Sequence, residues 1–221
     1  MTGWMLTAAE FRIPWGTQVA AHRMILVANP AGEAVRQLNG LASFYDPRAG
    51  CWRNKPIGYL KTDRLRGYDT LAHPHTWLPP HGVIPGSRQL GPAIERGDVR
   101  VLAGGLTEPR LKASLDAALE AIRRINALSD GPEGGSGLPY PFMGFGRNSN
   151  SVYSTLLSAM GFTEPAFLRP ARLNPGAGAL LLPKADIEAI RRLADHSSPA
   201  ITGSRNSASD SAIASTPAAV G

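Results

Sequence analysis

Asn148-Ser149-Asn150-Ser151 sets two amides and two hydroxyls directly ahead of an apolar helical pattern, Val152, Leu156, Ala159 and Met160, that stops at Gly161. The spacing predicts a helix from Asn148 to Met160 with a glycine C-cap. A hydroxyl at such a start sees unpaired backbone N–H groups and the positive end of the helix dipole. Both favour negative charge on it or on a bound oxyanion. Ser and Asn are also the favoured N-cap residues, so the same cluster serves equally as a cap with no chemistry.

A serine nucleophile needs a base within hydrogen-bond reach and a group that fixes the base's tautomer. Of the five histidines, His22 alone lies in a clear run of strand formers, Ala20 to Ala28, whose alternation puts Ala20, His22, Met24 and Leu26 on one face. A histidine among such neighbours is more often a core or edge residue than a base. His73, His75 and His81 offer a His-x-His spacing with a third imidazole nearby. Pro74 and Pro79-Pro80 interrupt them and no carboxylate stands beside them, so they read as loop histidines, with no metal and no cofactor expected.

The elements that must position these groups follow in chain order. Residues 1 to 18 show no clear period and read as an extended lead-in. After the His22 strand, Asn29-Pro30-Ala31-Gly32 supplies a turn, Glu33 to Leu38 a second strand, and Asn39-Gly40 its end. Prolines break Leu41 to Asp98 into irregular backbone, with short strands expected at Ile57 to Leu60 and Thr76 to Leu78. Val99 to Ala103 reads as a buried strand. Thr107 caps a helix, with Pro109 in its first turn and Leu111, Leu115, Ala118, Leu119, Ile122 and Ile125 along one stripe, that ends near Leu128. Glu120 and Arg124 pair on its exposed face. Ser129 to Gly137 is a turn-rich loop without the order of a phosphate loop, and Pro165 to Leu182 holds short apolar pieces. A last helix spans Asp186 to Leu193, with Ile187, Ile190 and Leu193 inward and Glu188 paired to Arg192. Residues 1–196 form one α+β domain, and 197–221 a disordered Ser/Ala-rich tail.

Composition narrows the classes. With 24 Gly and 19 Pro in 221 residues, turns and loops are frequent, which favours α+β over a helical bundle. The net charge of +6 is scattered, without basic runs or interleaved aromatics, so no nucleic-acid partner is expected. The single cysteine, Cys51, excludes an internal disulfide and a thiolate zinc cluster. It lies beside Trp52 away from any helix start, as buried packing rather than a nucleophile. The first residues lack a basic start and a long apolar core, and no window approaches eighteen apolar residues. The expectation is a soluble chain without a membrane span, cytoplasmic or exported without a cleaved signal peptide.

The histidine strand, Ala21-His22-Arg23-Met24-Ile25, and the later helix opened by Asn148-Ser149-Asn150-Ser151-Val152 together resemble the circularly permuted papain-like group. That group includes the PPPDE isopeptidases, the LRAT-like acyltransferases and relatives of the NlpC-type peptidases. In these families the histidine comes first and a cysteine at a helix N-terminus follows, typically within Asn-Cys-Asn. Here serine holds the cysteine position. The resemblance covers roughly Val19 to Gly161 in order of elements and about a dozen residues in detail. It implies a permuted papain-like fold, a small antiparallel sheet against two or three helices. It also implies hydrolysis or acyl transfer at an amide or ester bond, on a peptide or acyl substrate. Ser149 would be the nucleophile and His22 the base, with Asn148, Asn150 and Ser151 at the oxyanion and substrate side. Asn39, Gln37 or Glu33 would orient His22, Asn39 being preferred. A serine hydroxyl is hardly ionised near neutral pH, unlike a cysteine at a helix start. A catalytically inactive binding or structural module with a protein partner is therefore the alternative.

Overall fold

The computed structural model describes residues 3–15, 18–55, 57–80, 87–128, 137–167 and 174–197. Trp4–Trp15 (β1) and Gln18–Ala28 (β2) form a long antiparallel hairpin, paired from Met5 against Ala28 to Trp15 against Gln18. The expected lead-in is thus a strand. It is covered on both sides, Leu6 and Ala8 facing one cluster and Met5 and Ala9 the other, so no one-sided period marks it in the sequence.

β2 pairs next with Ala34–Asp46 (β3), which runs straight through Asn39-Gly40. Gly40 ends nothing. A Cβ there would lie 2.6 Å from the Val152 side chain and 3.0 Å from the Ser149 carbonyl oxygen, so this glycine lets Ser149–Ala159 (α3) lie against the sheet. Gly40→Ala is expected to cost about 2 kcal/mol through overpacking. Gly91→Ala, where a Cβ meets open space, should change urea unfolding little.

The stretch expected to be irregular holds Cys51–Lys55 (β4), Arg64–Asp69 (β5) and the short helix Gly91–Glu95 (α1). Neither of the short strands expected there forms: 57–60 is non-strand backbone, and Pro74–Thr76 is a 3-10 turn. β5 hides in the sequence because its second inward position is Gly67, where a Cβ would stand 3.0 Å from Ile122 of the helix Glu108–Ala127 (α2). Val99–Leu106 (β6) continues past Gly104-Gly105, and Leu138–Pro139 (β7) is a two-residue edge. The sheet is antiparallel throughout, in the order β6-β1-β2-β3-β5-β7 with β4 also on β3. With seven strands it is larger than expected.

α2, α3 and Lys184–Ser197 (α4) cover one face, where Ile25, Val27, Leu38 and Leu65 meet Ile122, Ile125, Val152, Leu156 and Ile190. The other face packs Met24, Leu26 and Ala34 against Leu90 and Ala93 of the α1 region. Ile187 and Ile190 point inward as expected. Leu193 does not, being 57% exposed, and Ala194 takes the inward position a full turn after Ile190. Glu120 pairs with Arg124 at 2.8 Å and with Arg123 at 2.7 Å. Glu188 and Arg192 are both exposed, and among the described residues no ion pair joins them. No helix among the described residues is long and apolar enough to cross a membrane. His81, the loop residues 129–136 and the tail beyond Ser197 lie outside the described residues.

Candidate functional site at a fork in the sheet

Leu38 of β3 pairs with Ile25 of β2 and also with Asp69 of β5, while Ala42 pairs with Lys55 of β4 and also with Leu65 of β5. β5 therefore holds one flank of β3, and β2 and β4 share the other. β2 leaves that flank beyond Ile25. The sheet forks there, and His22 sits on the departing arm.

The start of α3 fills one side of the fork. Asn150 docks on the freed edge of β2: the Arg23 amide donates to its Oδ1 at 2.8 Å, and its Nδ2 donates to the Ala21 carbonyl at 2.9 Å. These are the bonds a third strand would have made on either side of His22. The same Nδ2 reaches the Pro175 carbonyl at 3.1 Å. Asn148 is the N-cap. Its Oδ1 accepts from the Asn150 amide at 2.8 Å, and its Nδ2 donates to the Gly144 and Pro175 carbonyls at 2.6 and 3.0 Å. Ser151 closes a capping box, accepting from the Asn148 amide at 3.2 Å while donating to the Gly176 carbonyl at 2.9 Å.

Ser149 stands beside Tyr140. Burial pushes the Tyr140 phenol up, and the nearby Ser149 hydroxyl and amide only partly oppose that. The amides that follow in the first turn of α3 are closed: the Asn150 amide goes to the Asn148 side chain at 2.8 Å, and the Ser151 and Val152 amides to the Asn148 carbonyl at 2.9 and 3.3 Å. Asn148, Asn150 and Ser151, expected on the oxyanion side, hold the protein's own backbone.

His22 shares its face with Met24 and Leu26 as expected, but α3 covers the opposite face, with Ile25 and Val27. The His22 side chain is buried, and that burial lowers its pKa to about 4, so the ring is neutral near pH 7. Its Nε2 has no hydrogen-bond partner among the described residues. Asn39, the preferred orienting residue, does not bond to it. Asn39 Nδ2 donates to Gln37 Oε1 at 2.7 Å and to the Thr76 carbonyl at 3.0 Å. Gln37 is taken up by Leu78, and Glu33 by Asn29.

Ser149 and His22 nonetheless border one cavity of about 220 Å³, with Tyr140 and Asn174 as further polar walls and Ile13, Ile57, Met143 and Phe145 as apolar ones. No hydrogen bond joins the two. No family model, curated protein or solved structure matches the chain. The cavity thus stands on its own chemistry, an apolar pocket with a serine hydroxyl at one wall.

Sequence reasoning missed Tyr140, Asn174 and Arg23. Arg23 faces α3, where it pairs with Glu10 at 3.4 Å and with Glu164, and lies 4.8 Å over the Phe167 ring. The Asn174 amide oxygen faces this guanidinium, 2.6 Å from Nη2. The signal for the Glu10–Arg23 pair was the cross-strand register, visible only once β1 is read as a strand. Cys51 is exposed rather than packed beside Trp52. The His73 and His75 rings meet edge to face at 6.0 Å, and no metal-type cluster of three occurs among the described residues.

Proposed function

We propose that the chain is a non-catalytic binding module of permuted papain-like shape that holds a peptide or acyl segment in the cavity between Tyr140, Ser149 and His22. The observation that carries this reading is the closed start of α3: the Asn150, Ser151 and Val152 amides are all taken by Asn148, and no hydrogen bond joins Ser149 to His22. A nucleophile needs its base, and an oxyanion needs open donors. The order of elements, with an early histidine strand and a late helix opened by Asn-Ser-Asn at one cavity, supports the papain-like shape. Phe142 and Phe145, 71% and 65% exposed on the turn at the rim, favour an apolar segment as the ligand.

A dansyl-labelled short acyl amide tests this by fluorescence titration. Saturable binding that weakens at least about ten-fold in Phe145→Asp is expected, since a charge at the rim opposes an apolar ligand. Binding unchanged in that variant would overturn the reading.

One observation favours a second reading, a hydrolase or acyltransferase. His22 is uncharged, its Nε2 has no partner among the described residues, and the residue borders the same cavity as Ser149, as a general base requires. A serine-reactive fluorophosphonate is expected to leave Ser149 unlabelled. Labelling at Ser149 that disappears in His22→Ala would replace the binding module with the enzyme.

A further inference from the structure

The fork opens on the other face as well. There a second cavity of about 210 Å³ is walled by Phe11, Ile13, Leu41 and Leu78, with His22 and Asn54 as polar walls. Strand alternation turns His22 toward this side, across from α3, and Phe11 is its paired neighbour on β1. Two of the residues that line this cavity carry a buried polar atom with no hydrogen-bond partner among the described residues, His22 Nε2 and Asn54 Nδ2. Buried polar atoms are nearly always bonded, so two beside one cavity mark where a ligand's polar group belongs. The charge at this cavity is already matched. Lys55 Nζ lies 2.5 Å from Asp63 and over the Tyr59 ring, leaving no spare cation for an acid.

We propose that this second cavity is a separate ligand site for a compact, uncharged carboxamide with an apolar body. Its carbonyl oxygen accepts from Asn54 Nδ2, its N–H donates to the neutral His22 Nε2, and its body lies between Phe11, Ile13 and Leu41. An amide supplies in one group an acceptor for Asn54 Nδ2 and a donor for His22 Nε2. A carboxylate supplies no donor and brings an unmatched charge into a largely apolar cavity.

Benzamide is the probe, followed through the ring nitrogen resonances of His22 in the full chain. The expected result is a saturable shift of Nε2 at low millimolar concentration, with benzoate at least about ten-fold weaker, a difference of about 1.4 kcal/mol. Asn54→Leu and the near-isosteric Asn54→Asp should each weaken benzamide at least ten-fold, whereas Phe145→Asp, at the rim of the first cavity, should leave it unchanged. The absence of a saturable shift would mean that the cavity takes water only, and would overturn the proposal. So would loss of the shift in Phe145→Asp with retention in both Asn54 variants, since the probe would then sit on the α3 side. Equal binding of benzoate would also overturn it. None of these outcomes depends on Ser149, so failure here leaves the binding-module reading to its own test.

Discussion

Asn150→Ala should lower the stability of the fold by about 4 kcal/mol, the largest loss expected from any side chain at the fork. The residue is 1% exposed and stands in for a missing strand, accepting from the Arg23 amide at 2.8 Å and donating to the Ala21 carbonyl at 2.9 Å. Truncation strands both backbone groups away from water, and a buried group left unsatisfied costs about 1–3 kcal/mol. The Pro175 carbonyl, 3.1 Å away, loses a donor as well. For a chain of this size the expected fall in Tm is about 10 °C. The Arg23 amide should also exchange with solvent much faster relative to Leu26, deeper in the paired part of β2. Ser151→Ala is the comparison, because its hydroxyl serves the Asn148 amide and the Gly176 carbonyl but no strand edge, and it should cost about 2 kcal/mol while leaving exchange of the Arg23 amide unchanged. If Asn150→Ala costs no more than Ser151→Ala, the strand edge is held by something else and the fork loses its explanation.

What the sequence made legible follows from one-sided patterns. α2 and α3 were readable because each joins an apolar stripe to a residue of capping type, although Thr107 holds the N-cap position of α2 without a side-chain capping bond while Asn148 caps α3. β2 was readable as a dense run of strand formers. β1 and β5 were not, since both are covered by neighbours in ways a single-face alternation does not capture. Gly40 and Gly67 look like punctuation, yet they are the places where α3 and α2 touch the sheet.

The site was half legible for a related reason. Chain order brought Ser149 and His22 to one cavity, but the partners of the hydroxyl row could not be read locally. Ser154 Oγ accepts from the Gly178 amide, and Thr155 Oγ1 from the Leu181 amide, both at 2.9 Å, so the polar side of α3 receives residues 174–181 along its length. A row of Ser, Asn and Thr looks the same whether it faces a substrate or another segment's backbone. The difference is set by Asn174-Pro175-Gly176, where a Cβ on Gly176 would lie 2.5 Å from Asn148 Oδ1.

The remaining large effect is in pH. Burial holds the folded-state pKa of His22 at about 4, against an unperturbed value of 6.5, with Phe11 paired to it on β1 and Leu41, His75 and Lys55 lining the same cavity. Between those two values the unfolded chain binds a proton at His22 that the folded chain refuses, so acidification favours unfolding. Stability should be full above pH 6.5, fall by about 1.4 kcal/mol per pH unit below it, and level off near pH 4 after a total loss of about 3 kcal/mol. Glu120, which Arg123 and Arg124 hold at about 2, loses its contribution only as the pH falls below the ordinary carboxylate range, so the two effects separate along the pH axis. Urea unfolding of the wild type and His22→Gln from pH 7 to 4.5 gives the difference directly. The expected outcome is a slope present in the wild type and largely absent in the variant. Equal slopes would mean that His22 is protonated within the fold, and would remove the neutral imidazole on which both the base reading and the carboxamide site rest.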